Sequence, residues 1–136
     1  MKTFSALAAA SAALALLAAP AIAQDAAAEP TRGEVKLAKM LEGRVAGEPQ
    51  QCIPMFGSDN LTTIHGTALV ADRGDTIWVN RTAHPHSLDV NDLMTIRKAS
   101  GSQLCRLDQI TTSSRTGNFF NGVIFLEEFV PYRRAG

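Results

Sequence analysis

The chain has 136 residues with 13 basic and 13 acidic side chains, so its formal charge is zero, and 46% of it is apolar. Neutrality provides no general attraction to nucleic acid or to anionic lipid, which excludes a partner held by bulk charge. Beyond residue 24 no apolar run is long enough to span a bilayer.

Residues Met1–Ala23 carry the three regions of a secretory leader. Lys2 is the basic start, Phe4–Ala19 the apolar run, and Ala21-Ile22-Ala23 after Pro20 the small-x-small cleavage triplet. The run is short for a membrane span, and Pro20 and the triplet stand where processing needs them. Cleavage near Ala23-Gln24 is therefore expected in preference to an uncleaved anchor. Gln24 rather than Cys follows the site and no twin-Arg precedes the run, so an unlipidated chain exported by the general route is read. The expected location is periplasmic or secreted. Lys2 is the one basic residue to leave with the leader, so about 110 residues and one net negative charge remain, which is one domain's worth of chain.

Residues 24–32 are Ala-rich and aperiodic and contain Pro30, and are read as a flexible spacer. The single α+β domain then runs over 33–136. Thr31-Arg32-Gly33-Glu34 fits a capping box, and Val35, Ala38, Leu41 and Val45 follow at helical spacing, with Leu37 and Met40 widening the apolar side. Gly43, Gly47 and Pro49 stop the pattern, so a helix from about Gly33 to Glu42 is expected.

Past Pro49 the texture turns to short alternating runs. Ile64–Val70 and Thr76–Asn80 flank the turn Ala71-Asp72-Arg73-Gly74 and read as a hairpin. Leu93–Lys98 is a third run. Gln103–Thr111 and Phe119–Leu126 flank Thr112–Asn118 as a second hairpin with a longer loop. The expected fold is thus α+β: one N-terminal helix packed on a small antiparallel meander of about five strands, open or closing into a barrel.

Cys52 and Cys105 are the two cysteines of the chain. In an oxidising compartment two cysteines with no third usually pair, and a structural disulfide is expected over two free thiols or a redox pair, which more typically has the spacing Cys-x-x-Cys. An oxidised pair leaves no thiol for nucleophilic catalysis.

Other chemistry is thinly signalled. His84 and His86 flank Pro85 with Asp89 and Asp92 close behind, the weak candidates for a metal, which would need a further convergent ligand. No Gly-x-Ser-x-Gly elbow and no phosphate-cradling Gly loop is present, and Glu127-Glu128, adjacent in a strand, point to opposite faces. No cofactor, no bound metal and no enzymatic activity are expected. Asn60-Leu61-Thr62 and Asn80-Arg81-Thr82 match the glycosylation triplet and are read as coincidence. Phe119–Arg133 holds four of the five phenylalanines outside the leader together with the single Tyr. It is read as the central core strand ended by Pro131, with Tyr132 and Arg133 as weak candidates for the rim of a docking surface. Trp78 is read as core in the same way.

Gly33-Glu34-x-Lys36-Leu37-Ala38-Lys39-x-Leu41-Glu42-Gly43-Arg44-x-Ala46-Gly47, Cys52-Ile53, Val79-Asn80-Arg81, Leu104-Cys105 and Phe129-Val130-Pro131-Tyr132 together resemble a group of small exported proteins of Gram-negative bacteria. The resemblance spans most of the chain after the leader and implies an envelope protein with Cys52 paired to Cys105. It brings no activity, ligand or catalytic residue. The function expected is a non-enzymatic binding or interaction module of the cell envelope, its partner a protein or another envelope component. The alternatives are a small hydrolase or metal-dependent enzyme using the His84/His86 region, and an inhibitor of a secreted enzyme presenting His84–Ser87 or Ser113–Asn118.

Overall fold

A helix starts where a side chain can satisfy a free backbone N–H. In the computed structural model, which describes residues 28–56 and 61–136, Thr31 does this: its Oγ1 accepts from the Glu34 N–H at 3.2 Å. The leader expected at 1–23, residues 24–27 of the spacer and Asn60 lie outside the described residues. α1 runs over Arg32–Met40. The second half of the capping box is not made, because the Glu34 carboxylate takes the Arg81 guanidinium instead. Leu37 is fully buried, and Met40 and Leu41 pack beside it. Gly33 is required by proximity: a Cβ there would stand 1.9 Å from Thr67 Oγ1 and 2.6 Å from the His65 carbonyl oxygen.

The expected helix on about five strands is overturned. Among the described residues the chain is mostly β, with ten short strands in three antiparallel sheets, and none of the sheets closes into a barrel. In chain order they are β1 (Arg44–Ala46), β2 (Cys52–Pro54), β3 (Thr62–Ile64), β4 (Ala68–Asp72) and β5 (Thr76–Asn80). β6 (Asp92–Arg97), β7 (Gln103–Cys105), β8 (Gln109–Ser114), β9 (Phe120–Ile124) and β10 (Val130–Arg134) follow. The largest sheet has the order β1-β10-β5-β4-β3, the second is the pair β2-β7, and the third is β6-β8-β9.

Two expected strands split because tight turns sit inside them. Ile64–Val70 breaks at His65–Thr67, where Gly66 takes φ +61° and the Thr67 N–H donates to the Ile64 carbonyl. Gln103–Thr111 breaks at Arg106–Asp108. Pro131 does not end its strand. It lies buried within β10, opposite Trp78 of β5. In an antiparallel ladder the N–H and C=O of one residue face the same neighbour. The Pro131 carbonyl accepts from the Gly47 N–H at 2.7 Å, just past the end of β1, so the missing proline N–H falls where that ladder stops.

The two faces of the large sheet are both covered. Ile64, Ala68, Val70, Ile77 and Val79 cluster with Leu37 of α1 on one face. On the other, Leu69, Ala71 and Trp78 meet Ile53 and Leu104 of the disulfide-linked pair and Ile110 and Ile124 of the third sheet. Ile53, Leu104 and Ile110 are completely buried, each worth about 1.5–3 kcal/mol of transfer free energy. Trp78 is core as expected, with the Arg133 guanidinium carbon 5.9 Å from its ring centroid.

Of the polar residues buried in this interior, one is sealed from solvent completely. Asn80, at 0% exposure, donates from Nδ2 to the Glu127 carbonyl at 2.6 Å. Its Oδ1 accepts from the Glu127 N–H at 3.0 Å and the Thr82 N–H at 2.9 Å. A side-chain amide thus stands in for a strand partner, fastening the connection from β9 to β10 against the end of β5. It also holds Thr82 at φ +55°, a backbone state that β-branched residues avoid.

A preorganised apolar turn as candidate binding face

The residues between β7 and β8 form a tight turn that is tied down at four points. The Asp108 N–H donates to the Cys105 carbonyl at 2.9 Å, closing the turn. The buried Asp108 carboxylate accepts from the Cys105 N–H at 2.7 Å and from the Ala99 N–H at 2.9 Å. The Arg106 N–H donates to the Gln51 carbonyl at 2.7 Å. Finally, Cys105 is bonded to Cys52, its direct partner across β2 and β7, as expected from the export argument. What this frame presents is Leu107, which is 94% exposed.

An apolar side chain on a mobile loop loses much of its binding energy to ordering, whereas one on a fixed turn does not. Leu107 belongs to the second kind. Beside it lies a depression of about 660 Å³ whose lining includes Gln109, Val123 and Phe125. The ion pair Arg106–Glu127, 3.4 Å apart, lies on its border. A second hollow of about 490 Å³, lined by Gln51, Cys52, Ala99 and Cys105, also touches the turn. Leu107 and Phe125 are therefore neighbours on one apolar surface with a charged rim, the composition of a recognition patch.

The C-terminal aromatic stretch does not form the central core strand that the sequence suggests. Phe129 is buried, but Phe119, Phe120 and Phe125 are 72%, 69% and 61% exposed. β9 is an outer strand of its sheet, so one side of it meets solvent rather than another strand. Tyr132 and Arg133 do not act together: adjacent in β10, they point to opposite faces. Tyr132 packs into the helix-side core, and Arg133 covers Trp78.

His84 and His86 are exposed and flank a short 3-10 turn, Pro85–Ser87, with ring centroids 6.0 Å apart. His65 Nδ1 lies 3.9 Å from Asp89. The Asn91 backbone N–H holds the Asp89 carboxyl below its ordinary pKa, aided by the Asn91 side chain and His65 and opposed by desolvation. Asp92 is turned to Asn121, whose amide donates to it at 2.7 Å. Among the described residues no three His, Cys, Asp or Glu side chains gather closely enough to hold a metal. The Ser113–Asn118 loop is exposed over Arg115–Asn118, and Arg115 Nε donates to the Asn91 carbonyl at 2.9 Å. Asn80 of the second glycosylation triplet is wholly buried.

Leu107 escaped the sequence reading because Arg106-Leu107-Asp108 contains neither Gly nor Pro, the usual turn residues. The available signal is Asp108, three residues after Cys105, a spacing at which a carboxylate can reach back to the backbone. Comparison with protein-family models, with curated proteins and with solved structures brought out no match. Among the described residues no helix is long and apolar enough to cross a membrane.

Proposed function

We propose that this protein is an exported, non-enzymatic module of the cell envelope that binds a protein or other envelope component through Leu107 and the apolar surface beside it. The observation that carries this reading is a large apolar side chain held almost fully exposed by a disulfide, a buried carboxylate and two backbone hydrogen bonds. So much local ordering around a side chain that contributes nothing to the core supports recognition as its purpose. Export is supported by the leader pattern in 1–23 and agrees with an intact disulfide.

The binding test uses Leu107→Asp. Because Leu107 makes no core contact, the variant is expected to melt within about 2 °C of the parent. Its affinity for a partner crosslinked in the envelope and then purified should fall at least about 30-fold, the loss typical of a hot spot. Unchanged affinity would remove Leu107 from the binding face. The export test is the mass of the chain recovered from the envelope of an expressing cell. A mature N-terminus at Gln24 is expected, and recovery of the full chain from the cytoplasm alone would defeat the proposal. The same turn also satisfies the rigid, exposed loop that an inhibitor of a secreted enzyme needs. A purified partner that is an enzyme and loses activity on binding would select that narrower reading.

A further inference from the structure

β9 pairs with β8 along one side, from Ile110↔Ile124 to Ser113↔Phe120, and has no strand on its other side among the described residues. Edge strands are normally blunted by charge, proline or brevity. β6 carries Asp92 and Arg97, and β2 is three residues long and contains Pro54. β9 is five residues long with neither charge nor proline, and its one interruption is a bulge at Asn121, which leaves Gly122–Ile124 as the regular part of the edge. Phe119–Leu126 contains neither a charged residue nor a proline, and Phe119, Phe120, Val123 and Phe125 are all exposed. Only beyond Ile124 does the chain leave the edge, where the Phe125 carbonyl accepts from the Ala83 N–H.

We infer that β9 pairs antiparallel with β9 of a second copy of this chain, joining two three-stranded sheets into one of six strands. An open ladder of backbone donors and acceptors calls for an extended strand, and the same edge on another copy supplies it with two-fold symmetry. An axis at Val123 sets Gly122 of each copy opposite Ile124 of the other, on the regular side of the bulge at Asn121, so no charge meets its like. The near-neutral chain adds no long-range repulsion between copies. The available area is of the right order. Three phenylalanine rings, each roughly 60–70% exposed, leave on the order of 100 Å² apiece open. Two copies can thus bury roughly 600 Å² from rings alone, more than half of the about 1,000 Å² that a specific interface needs.

The pairing goes beyond the Leu107 reading. Val123 and Phe125 also border the depression beside Leu107, so the two are told apart by readout: chain mass and edge-strand exchange for the pairing, and partner affinity of Leu107→Asp for the other. Sedimentation equilibrium of the mature protein between about 1 and 100 µM should show twice the chain mass at the upper end. Amide exchange at Phe120–Ile124 should slow at least tenfold over the same range. Val123→Lys, which puts a charge on the edge, should be monomeric throughout, whereas Leu107→Asp should remain dimeric. A parent of single-chain mass at 100 µM, exchange independent of concentration, or a Val123→Lys protein that still dimerises would each overturn the inference. A monomeric parent would leave the Leu107 test untouched, and a dimer whose partner binding ignores Leu107→Asp would remove only that reading.

Discussion

Asn80→Ala is expected to lower the stability of the domain by about 3–5 kcal/mol, the largest effect of any polar substitution in the interior. Three backbone groups lose their partner at once: the Glu127 N–H, the Glu127 carbonyl and the Thr82 N–H. Each buried polar group left unsatisfied costs roughly 1–3 kcal/mol, and the cavity admits at most partial rescue by water. The loss is large because a domain of this size has only about 5–15 kcal/mol in hand. A melting temperature lower by about 10–20 °C should report it. Asn80→Asp should also be severe, since it keeps the acceptor but turns a carboxylate towards the Glu127 carbonyl in a dry site. An Asn80→Ala protein melting within about 3 °C of the parent would show that the connection from β9 to β10 is held by packing alone.

The double variant Cys52→Ala/Cys105→Ala is expected to lose about 4 kcal/mol, the chain-entropy value for a loop with a sequence separation of 53. The argument does not end with the unfolded state. β2 and β7 are three residues each, too short to stand as an isolated pair, yet Ile53 and Leu104 between them are completely buried. Removing the crosslink should therefore also loosen the turn that displays Leu107. Amide exchange at Arg106–Asp108 should accelerate more than exchange within β4 and β5. Equal acceleration at both places would mean that the bond serves the whole domain and not the turn. A change in melting temperature under about 3 °C would dismiss the stabilising role altogether.

What could be read in the residues was the local part. Thr31 marks the helix start, Asp72–Gly74 turns β4 into β5, and the expected pairing of Cys52 with Cys105 matches the observed bond. What could not be read depends on partners far along the chain. β10 inserts between β1 and β5, and nothing near Val130–Arg134 announces it; Pro131 argues locally for a strand end and is tolerated only because β1 stops opposite it. The aromatic run misled for a related reason. An uncharged β-rich segment reads the same whether it is wrapped in core or left on an edge, since periodicity records faces and not neighbours. Leu107 was hidden because its turn is shaped by a carboxylate and a disulfide rather than by Gly or Pro. Both parts of the candidate binding surface thus come from tertiary context.

The placement of β10 also sets a timetable. β1 lies near the start of the domain and β10 near its end, yet β10 is hydrogen-bonded between β1 and β5 in the middle of the sheet order. During synthesis β1, whose only strand partner is β10, and β5, paired on its β4 side alone, therefore wait until the residues after Val130 have left the ribosome. A chain that withholds its closing strand until last stays threadable for the whole of its elongation. Under the export proposed above, that delay keeps the chain unfolded for its passage across the membrane.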